Sequence, residues 1–257
     1  MLIQEPIYFY NTDLAGLNDI PLDNIDRRNF STYNFNGMPV PRVSDILKMT
    51  CDSSSLVDLA SNTGRKFNTI MDNAATVGTL AHEKMENYLQ FDVATRPNWT
   101  TAIPFNLAIK VDNAFTGFKA WLKYLEKRNI KYRVYAVEKP IITPWFGGTT
   151  DCIIGLIKNG IETRYVLDFK TSNSIIPNYY LQTYTYFWGL MFDKYCIGDY
   201  SIPDIDGVAI LRVDKNCKGK FEFKTIEFNS EECKSDTLSL HNGFMSMMHW
   251  FYSYIRL

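Results

Sequence analysis

The sequence predicts a mixed α/β (α+β) chain, in which a mixed central sheet is flanked by helices. Three observations lead there. Apolar residues recur at helical spacing through residues 55–91 and 105–130. Strand-like runs follow in close succession between Tyr132 and Thr171. After them come a helical apolar arc at 178–192, two further strand-like runs and a long last helix. This succession of helices and strands is the pattern of a sheet covered by helices.

Residues 1–29, rich in Asn, Asp and aromatics, show no clear period and read as an irregular arm. Asn36-Gly37, between FSTYNF and MPV, predicts a small hairpin, because a type I′ turn needs φ > 0 at both central residues. In PRVSDILKM, Ser44 is a good N-cap and Asp45 follows in the first turn, so a helix starts there. Residues 55–91 read as helical, with a break near Asn62–Gly64. In the second half, apolar residues at 77, 80, 81, 85, 88 and 89 keep helical spacing. On that helix Gly78, His82 and Glu86 recur every four residues on one face. His82 offers an imidazole to a metal; next to Glu83 and Glu86 it also reads as a solvated i,i+4 partner. The helix at 105–130 carries Lys119, Lys123 and Lys127 at i,i+4, with Arg128 adjacent. Such a run is usually a solvated face, and it is also the best basic stripe in the chain, suited to tracking a phosphate backbone.

YRVYAVEKPII is the next strand, and Gly147 to Thr171 reads as two strands around Asn159-Gly160. In NYYLQTYTYFWGLMF, Tyr180, Leu181, Tyr184, Phe187, Trp188 and Met191 fill one arc that must pack on the sheet. Gln182 and Tyr186 lie on the opposite side and, on spacing alone, face solvent. DGVAILRVD and FEFKTIEF read as two more strands. Ser230-Glu231-Glu232 opens a final helix with Leu238, His241, Met245, Met248, Phe251, Tyr252 and Ile255 as its core stripe.

The hairpin holds the chemistry. With Asn159-Gly160 as a two-residue loop, Lys158 faces Ile161 and the count outward sets Asp151 opposite Asp168. Side chains alternate along a strand, so Asp168 shares a face with Val166 and Lys170, and Tyr165, Leu167 and Phe169 line the other. Two carboxylates directly opposed across strands repel. A divalent cation between them reverses that sign, and oxygen donors suit Mg²⁺ or Mn²⁺. Lys170 stands beside this position, where it could hold or deprotonate a water. The same residues also fit two acids at a solvated strand end, with Lys170 as a salt-bridge partner.

Composition limits the rest. The chain has 257 residues, 46% hydrophobic and 21% charged, with a net charge of −1. That excludes a disordered chain, and it excludes an overall basic field, so any nucleic-acid contact must come from a local patch. No apolar run approaches the length of a membrane span, and MLIQEPIYFYNTD lacks the basic start of a secretory signal. The five cysteines, Cys51, Cys152, Cys196, Cys217 and Cys233, are scattered without a C-x-x-C. A reducing, cytoplasmic setting is expected, with neither a disulfide framework nor a four-cysteine zinc site.

The order Gly78-x-x-x-His82, Glu138, Asp151, Asp168-x-Lys170 and Gln182-x-x-x-Tyr186 resembles the PD-(D/E)XK nuclease superfamily. Within it the chain is similar to the RecB-like exonuclease branch, which includes phage exonucleases and the mitochondrial genome maintenance exonuclease. MPVPRVSDIL is similar to a short pre-helix motif of that branch. The resemblance covers roughly residues 38–190. It implies a restriction-endonuclease-like α-β-β-β-α-β core in a single nuclease domain over 1–257. That domain would comprise an arm and hairpin (1–43), N-terminal helices (44–130), the catalytic sheet and helix (131–228) and a C-terminal helix (229–257).

The resemblance further implies hydrolysis of DNA phosphodiester bonds with Mg²⁺ or Mn²⁺. His82, Asp151, Asp168 and the Phe169 carbonyl would bind the metal, with Glu138 nearby, and Lys170 would orient or activate the water. Gln182 and Tyr186 would position DNA and support the site. It points to an exonuclease acting on single-stranded or frayed ends, phage-encoded and working in the host cytoplasm, with a phage recombination or replication protein as a partner. On this reading the N-terminal arm and the helices of 44–91 roof the site, with His82 reaching down to the metal. The alternatives are a structure-specific or nicking endonuclease of the same fold, and a non-catalytic DNA-binding protein. Val77 stands where many relatives have Arg before the helix glycine. The cysteine spacing does not match the iron–sulfur relatives, so no cluster is expected.

Overall fold

The computed structural model of the chain describes residues 33–50, 64–91 and 103–254. The arm expected over 1–29, the start of the helix expected from residue 55, and Cys51 and Ile255 lie outside the described residues. β1 (Tyr33–Phe35) and β2 (Met38–Val40) form the small hairpin, with Asn36 and Gly37 at φ 49° and 88°. α1 (Val43–Thr50) starts one residue earlier than expected. The N–H groups of Asp45 and Ile46 both bond to the Arg42 carbonyl, so Ser44 sits inside the first turn instead of capping it.

α2 (Phe67–Phe91) follows a short 3₁₀ turn at Gly64–Lys66. α3 (Phe105–Lys127) stops where Asn129 adopts a left-handed φ of 56° and its N–H returns to the Glu126 carbonyl. Then come β3 (Lys131–Ile142), β4 (Gly147–Lys158), β5 (Ile161–Lys170), α4 (Pro177–Phe192), β6 (Gly207–Val213), β7 (Phe221–Glu227) and α5 (Lys234–Tyr254). α5 begins later than Ser230, because Glu231–Cys233 first makes a 3₁₀ turn.

The five strands run in the order β3-β4-β5-β6-β7. β5 and β6 are parallel and every other neighbouring pair is antiparallel, so the sheet is mixed. A parallel pair cannot be joined by a tight turn, and α4 supplies the crossover. Asn159 and Gly160 have φ 53° and 82°, and Lys158 pairs with Ile161 as counted from the sequence.

Strand alternation sorts the core into two layers. Ile153, Val166 and Val208 point to α1, α4 and α5. Cys152, Ile154, Leu167, Phe169 and Leu211 point to α2 and α3, where Phe118 and Trp121 are fully buried. Each such side chain stabilises the fold by roughly 1.5–3 kcal/mol.

Two helix readings need correction. α4 is buried all round from Thr183 to Phe192, because the sheet covers one side and α5 another. Tyr184 and Trp188 pack on Phe244 of α5, and the Gln182–Tyr186 side faces the sheet rather than solvent. Tyr186 lies over β4 at Gly148, where a Cβ would come within 2.5 Å of its ring. In α5, Leu238 is exposed, and Thr237, Phe244 and Met247 join Met248, Phe251 and Tyr252 in the core. The buried stripe is thus offset from the expected one at its start.

Gly117 sets how closely α3 approaches the β6–β7 connection, since a Cβ there would lie 2.7 Å from the Lys220 carbonyl oxygen. Helix propensity alone favours Gly117→Ala by about 1 kcal/mol. The close approach reverses the sign, and the variant is expected to lose about 1–2 kcal/mol net, seen as a lower urea midpoint at unchanged slope. A raised midpoint would show that α3 does not rest on this carbonyl.

Candidate metal centre

Hydrogen-bonded pairing of β4 with β5 runs from Lys158–Ile161 to Cys152–Leu167. It ends one step short of the Asp151–Asp168 opposition counted from the loop. There the ladder stops, and the Phe169 N–H donates to Asp151 Oδ2 at 2.7 Å. A side-chain oxygen thus replaces the strand partner at the corner where α2 crosses. His82 projects from α2 into this corner, its Nδ1 lying 3.4 Å from Asp151 Oδ2 and 3.9 Å from Glu86 Oε1. Its ring meets the Phe169 ring edge-on at 5.9 Å.

Ligand atoms of His82, Glu86 and Asp151 all lie within 4.8 Å of one another. Glu86 was legible only as the i,i+4 neighbour of His82; nothing in the spacing separated it from a solvated acid. The structure buries it. Glu138 arrives from β3 by an irregular route. A bulge falls between Val134 and Ala136, and Glu138 itself has φ 47°, rare for a residue with a Cβ. Its exposed side chain stands near enough to Glu86 for its charge to raise the Glu86 carboxyl. Backbone held in that region costs on the order of 1–3 kcal/mol and tends to mark functional sites.

Asp168 is buried, on the α4 side of the sheet. It stands apart from the compact trio, with Lys170 Nζ 2.5 Å from its Oδ2. That ammonium sits off the direction of an aligned hydrogen bond, and Oδ2 has no other donor. Lys170 Nζ donates to Gln182 Oε1 at 3.1 Å and lies 4.9 Å from the centre of the Tyr179 ring. Gln182 Nε2 in turn donates to the Tyr186 hydroxyl at 2.9 Å. The residues expected to position DNA therefore hold Lys170 in place.

The charge pattern follows from this packing. Burial pushes Glu86 up to about 8, with Glu138 and Asp151 adding to the rise. Burial likewise lifts Asp168 to about 6, with Lys170 opposing and Asp151 contributing. Asp151 goes the other way: burial would raise it, but His82, Lys170 and the Phe169 N–H together hold it below the ordinary carboxylate value. His82 and Lys170 are raised, because their carboxylate neighbours outweigh burial.

The donor set fits a divalent cation. Three ligand groups converge, a buried Asp168 oxygen lacks an aligned donor, and crowded acids repel until a cation joins them. Carboxylates outnumber the single imidazole, as suits Mg²⁺ or Mn²⁺. Lys119, Lys123 and Lys127 are exposed on α3. α1 packs with α4 and α5, on the opposite face from α2, so the expected roof over the corner reduces, among the described residues, to α2. No helix among the described residues is long and apolar enough to cross a membrane. Comparison of the sequence with models of known families and with curated proteins finds no match in either.

Glu86 ties the site to stability. Its folded value of about 8 exceeds the ordinary 4.5, so between these values the native state keeps a proton that the unfolded chain has released. The contribution is fully present below about pH 4.5 and is lost as pH rises through about 8. Urea unfolding in chelator should show stability falling across that window, and Glu86→Gln should remove much of the fall above pH 6, where Asp168 has already titrated. An equal slope in the variant would contradict the buried position of Glu86 among the other acids.

Proposed function

We propose that the chain is a metal-dependent DNA nuclease of the PD-(D/E)XK kind, and that it acts as an exonuclease on single-stranded or frayed ends. The observation that carries this reading is the corner itself: His82, Glu86 and Asp151 converge beside the buried Asp168–Lys170 pair. The element order supports it, since helices, β3-β4-β5, α4 and β6 follow one another as in the α-β-β-β-α-β core. So does the interlocking of Gln182 and Tyr186 with Lys170.

In this reading His82, Glu86, Asp151, Asp168 and the Phe169 carbonyl hold Mg²⁺ or Mn²⁺. A bound cation supplies an activated water and neutralises charge that develops on the phosphoryl group. Asp168 and Gln182 fix the Lys170 ammonium at the edge of the corner, where it orients the attacking water. Tyr186 and Gly148 hold the amide of Gln182, so a change at either would misplace Lys170 without touching substrate. The charge of Glu138 helps to raise the neighbouring Glu86 and so bears on the charge of the ligand set. The exposed Lys119, Lys123 and Lys127 offer a second contact for a phosphate backbone. One observation favours the endonuclease alternative: α1 packs on α4 and α5, so among the described residues only α2 stands over the corner, and a thinner roof suits a continuous strand better.

With Mn²⁺, linear single strands should be consumed while covalently closed circles of the same sequence persist. Lys170→Ala should keep Mn²⁺ and strand binding but lose turnover by about 10²-fold or more, as for a group that acts on the reacting water. Circles and linear strands vanishing at equal rates would establish the endonuclease. Near wild-type turnover in Lys170→Ala would reduce Lys170 to a salt-bridge partner.

A further inference from the structure

A charge concentration of opposite sign lies beside the acidic corner. The early turns of α2 and α3, the segment after β5 and the β6–β7 loop enclose a cavity of about 290 Å³. Lys110 from α3 and Lys215 from the loop both line it, each half-buried. Burial pushes the Lys215 ammonium down, and the nearby Lys110 adds to the effect. Among the described residues, neither lysine forms an ion pair. Asp214, whose charge acts on Lys215, is turned to Arg212 at 3.7 Å and Lys220 at 3.9 Å.

Four amide side chains, Asn73, Asn106, Asn173 and Asn216, complete the polar part of the wall. The loop is not left to itself, because Asn113 Nδ2 donates to the Lys215 carbonyl at 3.2 Å. Among the described residues, the fold therefore holds two like charges against one cavity with no ion-pair partner between them. An anion placed there would turn a repulsion into two attractions, and the amides would supply neutral donors. Among the described residues the wall carries no aromatic ring on which a base could stack, so the complementary group is a phosphate and the contact is independent of base sequence.

Position ties the cavity to the corner. Asn173 follows Lys170 closely in the chain, and Gly78 lies against Thr171, a Cβ there falling 3.6 Å from Thr171 Oγ1. Asn73 and His82 stand on the same helix, roughly 13–14 Å apart along its axis. That span corresponds to roughly two to four nucleotides of backbone.

We propose that this cavity binds a backbone phosphate of the nucleic-acid strand, a few nucleotides from the bond cut at the acidic corner, with Lys110 and Lys215 as its charged ligands. The proposal rests on the nuclease reading for its substrate, and its test separates the two. Binding of a short fluorescein-labelled single strand is followed by anisotropy across a salt series, and cleavage of the same strand with Mn²⁺ is followed in parallel. Lys110→Gln/Lys215→Gln should raise Kd about tenfold and flatten the salt slope by about 1.4, the loss of two phosphate contacts on a single strand. The turnover number should stay within about twofold of wild type. Asn216→Asp, at an exposed position, places a carboxylate in the cavity and should weaken binding alone.

A control pair on other surfaces, Lys158→Gln/Lys234→Gln, should leave both Kd and slope near wild type. Unchanged Kd and slope in the cavity variants, or an equal loss in the control pair, would overturn the phosphate site even if the wild type cuts DNA. A wild type that binds the strand but does not cut it would refute the nuclease reading, and the binding comparison would still decide the site. A wild type that binds no strand would overturn both.

Discussion

Carboxylate repulsion at one corner of the sheet is the constraint on which the rest depends. Glu86, Glu138, Asp151 and Asp168 are drawn together there, with His82 and Lys170 as their close cationic neighbours. A fold selected for stability alone has little reason to place them so. β4 and β5 give up their ladder to let Asp151 accept a backbone N–H, and β3 turns Glu138 through a left-handed conformation. α4 offers a polar side to the sheet at the one place where Lys170 needs an acceptor. The layers on both faces of the sheet supply the burial that holds this arrangement against its own repulsion.

The asymmetry between the two aspartates follows from the same packing. Asp151 faces His82 and a backbone donor and stays ionised easily. Asp168 lies deeper, beside Lys170, and keeps its proton to a higher pH. Opposed acids on adjacent strands look purely repulsive in sequence. In the fold, Lys170 at 2.5 Å gives Asp168 a stabilising role, since removing it would strand a buried ammonium.

The strand half of the fold was legible because its signals are local. Asn159-Gly160 fixes the loop, the loop fixes the register, and the register places Asp151, Asp168 and Lys170 without reference to any other element. Gln182 and Tyr186 were misplaced on spacing because periodicity assumes a helix with one wet side, whereas α5 removes that side from α4. The corner needs α2 above the sheet, so Glu86 carried no mark beyond its distance from His82. The bulge and the turned backbone at Glu138 arise from how β3 meets β4 and have no local signature. α1 was expected over the site because it precedes α2 in the chain; its apolar face instead found α4 and α5.

A net charge of −1 makes the local distribution decisive. Acid is gathered at the corner, and lysines line the α2–α3 side near it, so on the proposed reading a strand would be held by its phosphates without a global basic field. All of this requires the acidic corner to be a cation site. Crystals soaked in Mn²⁺ and measured at the manganese edge should show an anomalous peak bounded by His82, Glu86, Asp151 and Asp168; a saturating soak that leaves this corner without a peak would rule the cation site out.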